Sequence, residues 1–339
     1  MIEDILEQLE QSNEAEILSF YNGEIVLKYD HKLHVRYYEE NSQKFLISGA
    51  TNVTGIVDKP ALVPWAANMA VDYASRLIKP GVVYTEEELE AAFRDAKANY
   101  RAISRTATDI GHIVHEWLDN YQKLCMNHGY GASFEMPTMP EDPKAENCVR
   151  TCLSWMNKHS FHPIKVETQV FSRVYRYAGT YDHLAHITSC GDPVCCPFEG
   201  RILILGDFKS SKRIYDEYRM QTACYKAAHE EEFPDQVIDA RVVIRLDKEG
   251  AGIETLTLMN DSFEDDFRGY LGALDTYNWQ KALDLQHRYE RAVAKEDKRI
   301  AKAADAALKQ AAKELKAVSK PTRSRKKLLI KEVGIPVEV

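Results

Sequence analysis

A chain of 339 residues with 45% hydrophobic and 28% charged residues, four Trp and eighteen Tyr can bury a substantial core and is not broadly disordered. No apolar run reaches the ~18–20 residues of a membrane helix, and the first residues, MIEDILEQLEQ, are acidic where a leader would be basic, so the cytoplasm is the expected compartment and no membrane partner is expected. Seven irregularly spaced cysteines do not make a secreted disulfide framework, and a net charge of −8 excludes a protein that coats nucleic acid through its overall charge.

Residues 1–20 have the spacing of a short amphipathic helix, and residues 24–47 alternate apolar and polar as a hairpin does, so residues 1–55 form a small leading subdomain. Pro60 and Pro64 bracket the start of a helical run through Ala66, Met69, Val71, Ala74 and Leu77, which Pro80 and Gly81 end. Thr85 followed by Glu86, Glu87 and Glu88 has capping-box chemistry and opens a long helix to about residue 124, with a break expected near 106–109. After an acidic, proline-rich loop the pattern predicts a helix over 144–158, strands over 165–175, 177–188 and 201–209, a helix over 215–231, strands over 237–246 and 253–259, and a helix over 263–285. The expected core, residues 56–285, is α/β with a central mixed β-sheet flanked by helices. Ile300, Ala304, Ala307, Ala311, Leu315 and Val318 predict a long helix over 280–319 inside a strongly basic C-terminal segment, residues 286–339, whose end frays from Pro321.

The chemistry concentrates at Gly206-Asp207-Phe208-Lys209. Residues two apart share one face of a strand, so Asp207 and Lys209 stand together and Phe208 faces the other way. A lone D-x-K of this kind is more often a plain strand-end ion pair. The preceding strand adds a second acid in Gly179-Thr180-Tyr181-Asp182, with a glycine that permits close backbone approach. Two carboxylates beside a lysine suit a hard divalent cation, Mg²⁺ or Mn²⁺, and the hydrolysis of a phosphodiester. Upstream, His115 borders an apolar helical stripe of Ile110, Val114, Trp117, Leu118 and Tyr121, whereas His112 lies with Glu116 and Asp119 on the polar side. A histidine so placed is more often a core residue than a ligand, and the H-x-x-H-E spacing is not that of a metalloprotease. Gln221 and Tyr225 are an i,i+4 pair that alone reads as a packed Tyr with a surface Gln.

In order, these motifs resemble the signature of RecB-like nucleases, the phage-type exonucleases of the PD-(D/E)xK superfamily: Gly111 with Val114-His115 on a helix, Gly179 to Asp182, Asp207 to Lys209, and Gln221 to Tyr225 on the helix that follows. Residues 53–67 also look like the lead-in of stand-alone phage exonucleases, so the likeness spans about residues 50–285. The resemblance implies a restriction-endonuclease-like core and Mg²⁺ or Mn²⁺ held by His115, Asp182, Asp207 and the Phe208 carbonyl. It also implies catalysis by Lys209 with Asp207 and Asp182, and substrate positioning by Gln221 and Tyr225. Glu167 is a further candidate, with an exposed strand glutamate as its alternative. Arg94, Lys97, Arg101 and Arg105 recur at helical spacing and either track phosphates or form a solvated face.

The implied substrate is DNA, single-stranded or at the ends of linear duplex, in phage or bacterial recombination, replication or repair, with a partner protein engaged through the C-terminal helix. A structure-specific or single-strand endonuclease and a catalytically silent nucleic-acid-binding module are the alternatives. The iron–sulfur cluster of CRISPR-associated relatives is not expected, because no Cys precedes Cys125 or follows Cys224. Cys190, Cys195 and Cys196 crowd one turn, and Cys148 and Cys152 lie one helical turn apart. A structural zinc among them lacks paired C-x-x-C spacing, and unliganded thiols are the alternative. No G-x-x-x-x-G-K-[ST] loop is present, so no helicase motor accompanies the core.

Overall fold

The computed structural model describes residues 15–30, 35–41, 43–57, 59–60, 62–129, 133–250 and 252–318. The chain divides into two compact units, Leu9–Trp279 and a second that contains residues 280–318.

The first unit opens with four antiparallel strands, β1 (Ala15–Phe20), β2 (Ile25–Asp30), β3 (Val35–Glu40) and β4 (Gln43–Gly49). Residues 15–20, expected as helix, are a strand; residues 1–14 lie outside the described residues. Six residues are too few for periodicity to separate helix from strand, and cross-strand contact decides. Here Phe20 packs its ring 5.8 Å from that of Phe171.

The same sheet continues through β5 (His162–Ser172), β6 (Tyr177–Thr188), β7 (Arg201–Lys209), β8 (Ala240–Leu246) and β9 (Ile253–Met259). Nine described strands run in the order β1-β2-β3-β4-β6-β7-β8-β9, with β5 also paired to β6. The β4/β6 and β7/β8 pairs are parallel and the others antiparallel, so the sheet is mixed. β5 starts three residues earlier than its apolar run, because it pairs with β6 from His162 on, and residues 173–176 turn the hairpin. β8 begins at Ala240 rather than 237, where pairing with β7 and β9 starts.

The described helices are α1 (Ala50–Thr54), α2 (Leu62–Leu77), α3 (Glu86–His128), α4 (Pro143–Lys158), α5 (Glu217–Glu232) and α6 (Phe263–Val318). The Thr85 capping box forms: Glu88 N–H donates to Thr85 Oγ1 at 3.2 Å, and Thr85 N–H to Glu88 Oε2 at 2.8 Å. α3 is unbroken at 106–109, since Thr106 and Thr108 turn their hydroxyls back onto Ala102 O (3.2 Å) and Ser104 O (3.0 Å) and stay helical. α4 is capped by Asp142, whose Oδ1 accepts from Lys144 N and Ala145 N, with Pro143 at the first position.

β7 is covered on both faces, as its unalternating apolar run implies. Ile204 and Phe208 enter one core with Val114, Trp117 and Leu118 of α3 and Cys152 and Trp155 of α4, while Leu205 enters another with Tyr177, Leu184, Tyr225, Tyr270 and Leu274. Each such fully buried aliphatic or aromatic side chain stabilises the fold by about 1.5–3 kcal/mol. α1, α5 and the first turns of α6 supply the second layer. The two helical runs expected over 263–285 and 280–319 are one helix, α6.

The second unit, residues 280–318, continues α6. Its described side chains between 291 and 315 are exposed, and several cations pair along the helix, among them Arg299 with Glu296 at 2.7 Å and Lys309 with Asp305 at 2.6 Å. The tail from Pro321 lies outside the described residues. No described helix is long and apolar enough to cross a membrane.

Candidate metal centre

The site is made by a splay in the sheet. β6 and β7 pair from Thr188↔Arg201 only as far as His183↔Gly206, whereas β7 stays paired with β8 to Lys209↔Arg245. Beyond the split the Asp182 side chain replaces the ladder: Phe208 N–H donates to Asp182 Oδ2 at 2.5 Å. Asp182 is therefore a mid-strand residue at the fork rather than a strand-end one, and Asp207 follows just past the last residue of β7 that pairs with β6. A glycine is required at the fork, since a Cβ on Gly206 would stand 1.9 Å from His183 Nε2. The His183 ring fills that space, tilted against Phe208 and edge-on to Phe161, with centroids at 4.7 and 5.0 Å.

Three elements deliver donors to the fork. α3 brings His115, whose Nδ1 lies 3.5 Å from Asp182 Oδ1. β5 brings Glu167, which lies in register opposite Asp182, between the pairs Val166↔His183 and Thr168↔Tyr181. Its backbone is left-handed at φ 45°, a conformation that disfavours non-glycine residues and that re-aims the side chain. Ligand atoms of His115, Glu167 and Asp182 all lie within 4.8 Å of one another, so this group can hold a metal ion. Asp207 is outside that trio; its Oδ2 is ion-paired with Lys209 Nζ, and the Lys209 ammonium lies 5.0 Å from the Tyr218 ring centroid. Both readings of Glu167 hold in part, for the residue is exposed yet its carboxylate reaches the group.

The electrostatics follow from crowding of charged groups around two buried carboxylates, Asp182 and Asp207. Burial disfavours a charged His115, but Asp182 and then Asp207 outweigh it and push the imidazole up to about 9. Burial would raise Asp182, yet His115 and Lys209 hold its carboxyl below the usual range. Asp207 moves the other way, raised by burial and by Asp182 beyond what Lys209 offsets. Desolvation of its carboxyl, then the charge of Asp182, pushes Glu167 up to about 7. Lys209 is raised, because Asp207 and Asp182 outweigh its burial.

Gln221 and Tyr225 both lie buried on α5, joined by Gln221 Nε2 donating to Tyr225 Oη at 2.7 Å; the surface-Gln alternative is thereby overturned. Tyr225 packs into the space left by Gly179, where a Cβ would meet its ring at 2.4 Å. Burial, followed by the charge of Asp207, keeps its phenol well above the ordinary value.

His115 and Lys209 open onto a cleft of about 880 Å³. Its wall also carries the cations Lys59, Lys212, Arg213 and Lys248 and the aromatics Trp65, Tyr215 and Tyr218. Arg94, Lys97, Arg101 and Arg105 are exposed on α3 and do not line it.

A second group, His159, Cys190, Cys195 and Cys196, also has ligand atoms within 4.8 Å of one another and can hold a metal ion. His159 gave no sequence signal, lying 31 residues before Cys190 at the end of α4. Cys148 and Cys152 do not join it: both are packed in the core of α4, where burial pushes their thiols up. No protein-family model matches this chain, and a comparison with curated proteins finds no match.

Proposed function

We propose that this chain is a divalent-metal-dependent deoxyribonuclease of the RecB-like, PD-(D/E)xK type, an exonuclease of the cytoplasm acting on single strands or duplex ends in DNA recombination, replication or repair. The observation that carries this reading is the meeting of His115, Glu167 and Asp182 beside the Asp207–Lys209 pair, with His115 and Lys209 reaching a cleft whose wall carries Lys59, Lys212, Arg213 and Lys248, the acids Asp216 and Glu217, and aromatic rings. Carboxylate oxygens with one imidazole form a donor set for Mg²⁺ or Mn²⁺. His115, Asp182 and Glu167 would hold the cation, with Asp207 and the Phe208 carbonyl as the remaining candidates from the motif. The cation, when bound, supplies Lewis-acid stabilisation of the scissile phosphate. Lys209 brings positive charge to the cleft wall and offsets charge developing on that phosphate. Gln221 and Tyr225, which the motif implies for substrate positioning, are buried and do not line the cleft; they would act indirectly, because their hydrogen bond and the packing of Tyr225 on Gly179 support β6 near Asp182.

Lysine and arginine beside Trp65, Tyr215 and Tyr218 suit a strand whose phosphates need countercharge and whose bases can stack. The basic continuation of α6 is assigned to a protein partner. The test uses end-labelled linear and covalently closed circular DNA with Mg²⁺ or Mn²⁺. Metal-dependent loss from ends, intact circles and a drop of about 10²–10³-fold in Lys209→Ala are expected. Cut circles would favour an endonuclease. DNA bound but left whole by the wild type, or equal degradation by both proteins, would overturn the reading.

A further inference from the structure

β6 and β7 are joined by residues 189–200, a connection with no helix or strand of its own. Loops of this length without regular structure need another source of order. Apolar burial is sparse here: Val194 is 87% exposed, and Phe198 is only partly packed on the core. What the loop does have is three thiols gathered on one histidine. Cys196 Sγ lies 3.5 Å from Cys190 Sγ, and Cys195 Sγ lies 3.3 Å from His159 Nε2. Two thiolates bound tetrahedrally at ~2.3 Å from one zinc stand about 3.8 Å apart, and a thiolate and an imidazole nitrogen about 3.5 Å apart. The observed separations match within a few tenths of an ångström. A disulfide needs sulfurs near ~2.05 Å and leaves His159 without a role. An iron–sulfur cluster would spread its ligands around several irons, farther apart than these.

His159 is arranged as a ligand would be. It is 1% exposed, its Nδ1 lies 2.7 Å from Trp155 O, and its ring lies 4.4 Å from that of Trp155. Nδ1 must therefore carry the proton that the carbonyl accepts, which leaves the Nε2 lone pair aimed at Cys195. A backbone carbonyl fixing the far nitrogen is the usual outer partner of a metal-bound imidazole. The surroundings are set as well: Thr255 Oγ1 donates to Cys195 Sγ at 3.3 Å, Thr257 Oγ1 to Cys195 O at 2.8 Å, and the Lys158 ammonium interacts electrostatically with Cys190. Three thiolates and a neutral imidazole around Zn²⁺ leave one net negative charge, which the Lys158 ammonium offsets.

We propose that His159, Cys190, Cys195 and Cys196 bind one Zn²⁺ as a closed structural site that ties the β6–β7 loop to the end of α4 and, through Thr255 and Thr257, to β9. Binding releases the three thiol protons to solvent. Four protein ligands fill the tetrahedron and leave no position for substrate. The site lies at the opposite end of β7 from Asp207, about 20 Å away at ~3.3 Å per residue. The zinc therefore holds the hairpin that carries both acids and takes no part in reaction, and the proposal does not depend on the nuclease reading.

The test is elemental analysis of the full chain after extensive desalting. About one zinc per chain is expected in the wild type and in Asp182→Asn, with loss in Cys195→Ser and His159→Gln and a lower Tm in both. Should those variants fail to fold, wild-type chain produced with cobalt in place of zinc supplies the readout: strong visible absorption of tetrahedral cobalt and thiolate-to-cobalt charge transfer are expected. Wild-type chain without zinc, zinc lost in Asp182→Asn but kept in Cys195→Ser, cobalt without thiolate charge transfer, or a mass two hydrogens light from a Cys190–Cys196 disulfide would each overturn the proposal. DNA left uncut by zinc-loaded protein would count against the nuclease reading alone.

Discussion

At position 206 a single hydrogen atom lets two strands meet over a histidine. The ring of His183 occupies the volume where any Cβ would sit, and neither ring nitrogen has a hydrogen-bond partner among the described residues. Gly206→Ala should therefore lower stability by about 1–3 kcal/mol through overpacking, read by chemical denaturation. The double variant with His183→Ala should recover part of that loss, and independent, additive effects would contradict the packing argument. The alternation that separates Asp207 and Lys209 from Phe208 was legible in four residues of sequence, because strand geometry dictates it. The reach of Glu167 was not: it depends on a left-handed backbone that tertiary contacts impose and no local pattern announces. The pairing of Asp207 with Lys209 was legible as the ion pair a lone D-x-K most often makes, whereas the place of Asp207 outside the trio was not, since a motif carries residue types and not distances.

The elements are tied by one buried charge network. Arg241 of β8, fully buried, donates to Asp266 of α6 at 2.7 Å, to Ser262 at 3.0 Å and to Arg219 O of α5 at 2.9 Å, while Arg219 also pairs with Asp266 at 2.9 Å. Asp266→Ala leaves the Arg241 guanidinium buried without its counter-ion and should cost about 3–5 kcal/mol, whereas Arg241→Met, which removes the buried charge itself, should cost much less. Equal losses in denaturant titrations would mean that packing, not charge, holds this junction. Strand positions from 177 to 259 were legible to within a few residues, since buried strands carry runs that turns interrupt. β1 and the unbroken course of α3 were not. A six-residue segment fits either periodicity, and threonines that look like breakers remain helical when their hydroxyls find a carbonyl four residues back.

At the scale of the whole molecule, a histidine that is neutral in the fold links stability to pH. His229 is buried between Tyr181 and Gln236, and burial, then Lys165, lowers its pKa to about 4. The unfolded chain takes up this proton from about pH 6.5, so the His229 contribution to stability should be lost as pH drops from 6.5 toward 4. Acidification across that window should lower Tm less in His229→Gln than in the wild type; an unchanged slope would show that His229 does not make this contribution. The α/β class and the mixed sheet were legible because residues 144–285 alternate helical and strand patterns, whereas the fusion of two helical runs into α6 depends on a junction that carries no stop signal. His159, whose partners lie 31 or more residues away, belongs to this scale too, since only the folded sheet brings it to the cysteines.

His115, Glu167 and Asp182 are proposed to share one divalent cation beside the Asp207–Lys209 pair. The most direct measurement is an anomalous difference map from crystals of the full chain soaked in Mn²⁺. A peak is expected roughly 2.0–2.3 Å from His115 Nδ1 and from an oxygen of Asp182. The peak should be absent from the same crystals of Asp182→Asn. A map with no peak at the fork, or one that persists in that variant, would contradict it.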